Sequence, residues 1–203
     1  MTPPRLVLAS ASPARLATLR AAGVEPEVVV SGVDESAVAE AGVAALAGRL
    51  AMLKAEAVAA TVAPDDDLVL VLGCDSVLEL DGQAFGKPGT PELAAARWRQ
   101  MRGRSGVLHT GHHLIALGSE GTRTRGAIGS TRVHFAELSD AEIEAYVATG
   151  EPLEVAGAFT VDGLGGPFVR GIEGDFHNVV GLSLPLLRDL LADLDVAWTS
   201  LWR

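Results

Sequence analysis

Val107-Leu-His-Thr-Gly-His-His-Leu-Ile-Ala-Leu117 and Thr122-Arg-Thr-Arg-Gly-Ala-Ile-Gly-Ser-Thr-Arg-Val-His-Phe135 are two alternating runs joined by Gly118-Ser119-Glu120-Gly121. This pattern predicts a long antiparallel hairpin in the middle of the chain. Outward from it, towards the N-terminus, strand patterns near Leu6–Ala9, Glu27–Ser31, Leu68–Gly73 and Val77–Leu80 alternate with helix signals, and Asp81-Gly82 closes the last strand. Ser12-Pro13 is a cap with proline just inside it; Leu16, Leu19 and Ala22 then recur at helical spacing until Gly23. An Ala-rich helix is expected from about Val43 to Val62, ended by Pro64, and another from Thr90-Pro91-Glu92-Leu93 to about Met101. On the C-terminal side, Ser139-Asp140-Ala141-Glu142 is a capping box for a helix to Thr149. Short strands at Gly157–Asp162 and Pro167–Ile172 are expected to flank a glycine-rich turn, before a terminal helix at Leu184–Leu194. Alternation of strand and helix at both ends, with a hairpin between, predicts an α/β fold with a mixed rather than purely parallel sheet.

The 203 residues, 48% hydrophobic and 21% charged, are enough for one core and predict one domain over residues 1–203. The net charge of −10 and an aromatic content of 4% argue against a nucleic-acid polymer as partner, because such binding draws on clustered cations and stacking rings. One cysteine, Cys74, excludes an internal disulfide and a multi-cysteine zinc site. The apolar run after Arg5 is interrupted by Ser10, Ser12 and Pro13, too soon for an export signal, and Leu68 to Cys74 is too short to span a bilayer. A cytoplasmic protein without a membrane partner is expected. Among the 16 Lys and Arg residues, all but Lys54 and Lys87 are arginine, so those two positions mark sites where a compact ammonium is wanted or where drift has spared a lysine.

Three segments carry chemistry. Leu8-Ala9-Ser10-Ala11-Ser12-Pro13-Ala14-Arg15 puts hydroxyls and an arginine at the start of a helix, an anion site in outline and equally an ordinary capped helix. Val33-Asp34-Glu35 and Cys74-Asp75-Ser76 place carboxylates after apolar runs, where they can hold a divalent metal or take a proton from water; Asp34 as a helix cap and Asp75 as a turn residue are the plainer readings. Gly82 to Pro88 lacks the spacing and hydroxyl of a P-loop, and Gly163-Leu-Gly-Gly-Pro-Phe168 lacks the last glycine of a dinucleotide fingerprint. The five histidines read as surface or structural residues, and Cys74 as a buried small residue.

In their order along the chain these segments resemble the Maf family of nucleoside triphosphate pyrophosphatases, related in fold to the inosine triphosphate pyrophosphatases. The resemblance is carried by Leu8 to Arg15, Val33-Asp34-Glu35, Leu50-Ala-Met-Leu-Lys54-Ala55, Gly73-Cys-Asp75-Ser-Val77 and Gly86-Lys87-Pro88. Ser105-Gly106 with His109-Thr110-Gly111, Gly150-Glu-Pro-Leu153 with Ala156-Gly-Ala-Phe159, and Ile172-Glu-Gly174 with Asn178 to Leu182 extend it. It implies a mixed central sheet flanked by helices, with two lobes around a cleft. It also implies hydrolysis of a nucleoside triphosphate, possibly with a non-standard base, between the α and β phosphates. Asp75 would be the general base, and Glu35 with Asp75 would hold a divalent cation, Mg²⁺ or Mn²⁺. Ser10, Ser12, Arg15, Lys54 and Lys87 would bind the triphosphate, and a homodimer is expected. A nucleotide-binding regulator linked to cell division, without required catalysis, is the alternative reading of the same cleft.

Three positions distinguish subgroups of that family, and here they are Ala14, Ser76 and Asp162. The subgroup acting on dTTP and UTP carries arginine, threonine and glutamine there, and the subgroup acting on 7-methyl-GTP carries tryptophan, glutamine and glutamate. This chain matches neither set. Ala14 leaves room, and an ionised Asp162 only accepts hydrogen bonds, so the expected base presents N–H donors, as guanine and cytosine types do.

Overall fold

A computed structural model describes residues 3–38, 40–62, 68–119 and 121–202 of the chain. Its elements run β1 (Arg5–Leu8), α1 (Pro13–Ala21), β2 (Glu27–Val28), α2 (Val43–Ala59), β3 (Val69–Leu80), β4 (Gln83–Phe85), α3 (Pro91–Met101), β5 (Ser105–Gly118) and β6 (Gly121–Phe135). There follow α4 (Asp140–Ala148), β7 (Val169–Glu173), α5 (Phe176–Val180) and α6 (Leu184–Ala192). Among the described residues the seven strands make one mixed sheet in the order β2-β1-β3-β5-β6-β7, with β4 on β3. Strands β2, β1 and β3 are parallel, and β3, β5, β6 and β7 alternate in direction. The mixed α/β architecture expected from the central hairpin is the one observed.

The local rules behind these elements are visible in their caps. The Ser12 hydroxyl accepts from the Arg15 N–H to start α1, Thr90 does the same for α3, and Ser139 with Glu142 forms the expected reciprocal box at α4. Asp34, read as either ligand or cap, caps a 3₁₀ turn at Glu35–Ala37 through the Ser36 N–H.

Side-chain alternation along β3 sorts the core. Leu70 and Leu72 join Leu19 of α1 and Leu187, Leu190 and Leu191 of α6 in one cluster, while Leu78 and Leu80 join α3 and α4 in a second cluster further along the same face. In the second, Trp98 meets Phe135, Tyr146 and Phe168 edge to face, and its Nε1 donates to the Ala158 carbonyl at 2.7 Å. On the opposite face Val69, Val71 and Val77 pack with α2. Two core masses joined by one long strand leave a cleft between them. On one side β3 pairs with β1 over residues 69–72 and with β4 over residues 78–80, so among the described residues the stretch 73–77 has no strand partner on that side.

Several expectations need correction. The runs expected at Leu68–Gly73 and Val77–Leu80 are one strand, so Asp75 lies within β3 and not in a turn after it; pairing with β5 continues unbroken through this point, where the α2 backbone packs on Gly73. The strand expected at Glu27–Ser31 stops at Val28. The strand expected at Gly157–Asp162 is absent among the described residues: Ala156–Ala158 is a 3₁₀ turn with Gly157 and Ala158 at φ of 71° and 61°, and the following residues wrap on side chains. Helix α5, five residues after an Asp175 cap, is too short to show a period in sequence. Helix α2 ends at Ala59, not Val62, and α6 at Ala192; Pro64 and Glu120 lie outside the described residues.

The tightest packing lies where α2 crosses β3 and β5. A Cβ built at Gly73 would stand 2.7 Å from the Ala55 nitrogen, and one at Gly111 2.7 Å from the Gly48 Cα. Gly73→Ala is therefore expected to cost about 1–3 kcal/mol or more in urea unfolding, because backbone must move. Gly171→Ala in β7, with nothing within 4 Å of the added carbon, should change stability by less than about 1 kcal/mol.

Candidate active site

The unpaired stretch of β3 forms the floor of a cavity of about 830 Å³. The start of α1 and the loop after β2 line one side of it, and the loop after β4 and the segment 154–162 line the other. All ten residues that the family resemblance assigns to catalysis, substrate, specificity or metal line this cavity: Ser10, Ser12, Ala14, Arg15, Glu35, Lys54, Asp75, Ser76, Lys87 and Asp162; Asp34, the other carboxylate read from sequence, is a cap. Elements distant in sequence converge here because the sheet changes neighbour at this point, the place where open α/β sheets gather ligands.

At the floor, Lys54 of α2 reaches across the close contact at Gly73. Its Nζ lies 2.5 Å from Asp75 Oδ1 and 2.6 Å from Glu35 Oε1. Lys54 and Asp75 are 8% and 7% exposed, whereas the Glu35 side chain is half open to solvent. Burial pushes the Asp75 carboxyl above the ordinary carboxylate range, the charges of Lys54 and Arg15 pull it back, and Glu35 adds to the rise. A carboxylate so placed is a stronger proton acceptor than one in water, held ionised by the adjacent ammonium. Cys74 next to it is fully buried, and burial pushes its thiol up to about 12, which fits an inert core residue.

Arg15 turns inward. Its Nε donates to the Gly181 carbonyl at 2.7 Å, Nη1 to Ser10 Oγ at 3.0 Å and Nη2 to Ser76 Oγ at 3.1 Å. A guanidinium has five N–H groups, so one on each Nη stays free for an anion in the cavity. Ser76 Oγ is 2.9 Å from Thr110 Oγ1, which donates to the Asn178 carbonyl. Thr110, Asn178 and Gly181 are thus functional supports that sequence reasoning quoted only as parts of motifs; their signal was proximity in the fold. His112, buried beside them, accepts from the Ser183 N–H through Nε2, and burial with the Arg15 charge lowers its pKa to about 4, so it is a neutral structural residue.

Across the cavity, Lys87 is exposed on the loop after β4. That loop is pinned by Arg97, whose Nη1 donates to the Gly86 carbonyl at 2.5 Å while its guanidinium lies 5.3 Å from the Phe85 ring centre. Val30, Leu46, Leu50, Phe159 and Val161 add apolar lining. The cavity therefore offers cations and a helix N-terminus to an anion, a buried carboxylate to a proton, and apolar surface to a flat ring. Among the described residues no group of three or more His, Cys, Asp or Glu side chains stands together as a metal site, and Glu35 with Asp75 is a two-carboxylate set.

Comparison with known proteins agrees with this geometry. Residues 5–194 match the family model described as Maf-like protein. Proteins named nucleoside triphosphate pyrophosphatase from Salinispora tropica, Streptomyces coelicolor and Cutibacterium acnes are 63%, 60% and 54% identical. The aligned regions cover 98%, 98% and 97% of this chain and 88%, 94% and 93% of the relatives. With a family match spanning nearly every described element and relatives aligned along almost their whole length, the chain belongs to the Maf-like protein family.

Proposed function

We propose that this protein is a nucleoside triphosphate pyrophosphatase that hydrolyses the α–β phosphoanhydride, giving a nucleoside monophosphate and pyrophosphate. The observation that carries the reading is the Asp75–Lys54–Glu35 group on the floor of a cavity whose walls also hold Lys87, Arg15 and the start of α1. Relatives named for this activity support it. The chain carries a net charge of −10, so its overall field repels a polyphosphate, and local cations must supply the binding. Lys54, Lys87 and the free N–H groups of Arg15 serve as that counter-charge, with Ser10 and Ser12 at the helix start.

In the reaction Asp75 takes a proton from water as the water oxygen bonds to the α-phosphorus. The α–β bridging P–O bond breaks, and its electron pair leaves with pyrophosphate. Lys54 holds the Asp75 carboxylate ionised and in place before the transfer. Glu35 and Asp75 would hold a divalent cation, Mg²⁺ or Mn²⁺: two hard carboxylates suit these ions, which take the rest of their shell from water and substrate phosphates. Bound there, the ion neutralises phosphate charge. Asp162, exposed on the wall, accepts hydrogen bonds from a base with N–H donors, so guanine and cytosine types, modified ones included, are the proposed substrates.

Metal-dependent pyrophosphate release across a panel of nucleoside triphosphates tests the reading. Asp75→Asn should lower kcat by about 100-fold or more while still binding a non-hydrolysable analogue. Because Asp75 acts as the ionised base and its pKa is raised, wild-type activity should fall as pH drops through a value above the usual carboxylate range. Lys54→Met removes a charge that lowers this pKa, so the acid limb of its pH–rate profile should move to higher pH. Asp162→Asn should reduce the preference for guanine and cytosine types; an unchanged preference in the same panel rejects that assignment.

A further inference from the structure

Behind the wall that carries Asp162, the Glu151 carboxylate gathers a turn of chain that the hydrolytic chemistry does not use. Its Oε1 accepts from the Thr160 hydroxyl at 2.5 Å, the Tyr146 hydroxyl at 2.9 Å and the Gly165 N–H at 3.0 Å. Its Oε2 accepts from the Leu164 N–H at 3.0 Å, and the Tyr146 oxygen accepts from the Thr160 N–H at 3.3 Å. Donors from both ends of segment 160–165 therefore close on one side chain, with Asp162 between them.

The glycines of this turn are there for the same reason. A Cβ at Gly163 would stand 2.6 Å from Glu151 Oε2, and one at Gly165 2.5 Å from the Tyr146 hydroxyl oxygen. Within the run Gly163-Leu-Gly-Gly166, which fails as a dinucleotide motif, Gly163 lies against the carboxylate and Gly165 against the phenol at contact distance. Burial acts to raise the Glu151 carboxyl, but hydrogen bonds from Thr160, Leu164, Tyr146 and Gly165 outweigh it and hold the group below its ordinary value. It is ionised at neutral pH and accepts on both oxygens. Tyr146, raised by burial, remains a phenol donor, and its ring packs edge-on against Trp98 and Phe168. The anchor is thus tied to the core, whereas the residues it holds face the cavity: Thr160, Val161 and Asp162 line it and Glu151 does not.

We propose that Glu151 is a positioning residue for substrate selection, fixing the 160–165 turn so that Asp162 and the adjoining wall meet the nucleobase. The inference rests on the cavity being a nucleoside triphosphate site. Proton transfer to Asp75 and the phosphate contacts come from other elements, so loosening the turn weakens base binding and discrimination and spares the chemical step. That separates it from a general structural role, which would depress turnover alike for every base.

The test uses full-length Glu151→Gln, which keeps the side chain's size but turns an amide N–H₂ on the Leu164 N–H, and Tyr146→Phe, which removes one donor to Glu151 and the acceptor of the Thr160 N–H while keeping the ring. Pyrophosphate release is measured with ATP, GTP, CTP, UTP and dTTP. For Glu151→Gln the expected result is a KM for the preferred nucleotide raised about tenfold and a kcat/KM ratio between best and worst bases reduced about tenfold, with kcat within about threefold of wild type. Tyr146→Phe should show the same pattern at smaller size, and it carries the test if Glu151→Gln does not fold. In an Asp162→Asn background, Glu151→Gln should change the ratio no further, since both act through one turn. Equal loss of kcat for all bases, an unchanged ratio in both variants, or full additivity with Asp162→Asn overturns the role of Glu151, as does a wild type that cleaves all bases alike. A wild type that releases no pyrophosphate from any nucleotide instead overturns the reading of the cavity itself.

Discussion

Helix α2 lies on the sheet with its backbone directly against β3 and β5, because Gly73 and Gly111 carry no side chain to hold it off. The depth of this contact sets where Lys54 ends up. A lysine further from the strand would reach Asp75 through water, whereas here the ammonium touches a buried carboxylate on one side and the half-exposed Glu35 on the other. In that setting the attraction is strong and so is the cost of losing one partner. The buried carboxylate, its counter-charge and the helix that supplies it form one object, and the rest of the cavity is arranged around it.

The cavity itself follows from strand pairing. Strand β1 ends after Leu8 and β4 begins at Gln83, so the middle of β3 is paired on one side and open on the other. Chain leaving β1 turns at once into α1, which brings Ser10, Ser12 and Arg15 to the opening. Chain leaving β4 brings Lys87. The two apolar clusters under the two halves of β3 keep these approaches apart, and the space between them remains wide enough for a ligand.

Much of the fold was legible because its signals are local. Ser12-Pro13, Thr90-Pro91 and the Ser139–Glu142 box are short-range hydrogen-bond devices, and the hairpin shows its period over many residues. The grouping of site residues came through the resemblance to the Maf family, not from the segments themselves, each of which also had a plainer reading. What escaped depended on partners far along the chain. Asp75 sits mid-strand because of a helix packed some twenty residues away, Arg15 is held by Gly181, and the segment after Ala156 abandons the strand its sequence suggests because Trp98 and Glu151 bind its backbone and side chains. Glu151 enters the sequence reading only as part of the Gly150–Leu153 block; only the fold gives it four donors.

The two sides of the cavity are held by different means. The floor depends on backbone pressed against backbone, a contact that no exchange of surface residues can adjust. The wall from Thr160 to Gly165 hangs from one carboxylate by separate hydrogen bonds, two of them from side-chain hydroxyls that a single substitution removes. Mutation can therefore reshape that wall in small steps while the floor stays as it is. Such a molecule can drift in what it admits and remain constant in what it does to whatever it has admitted.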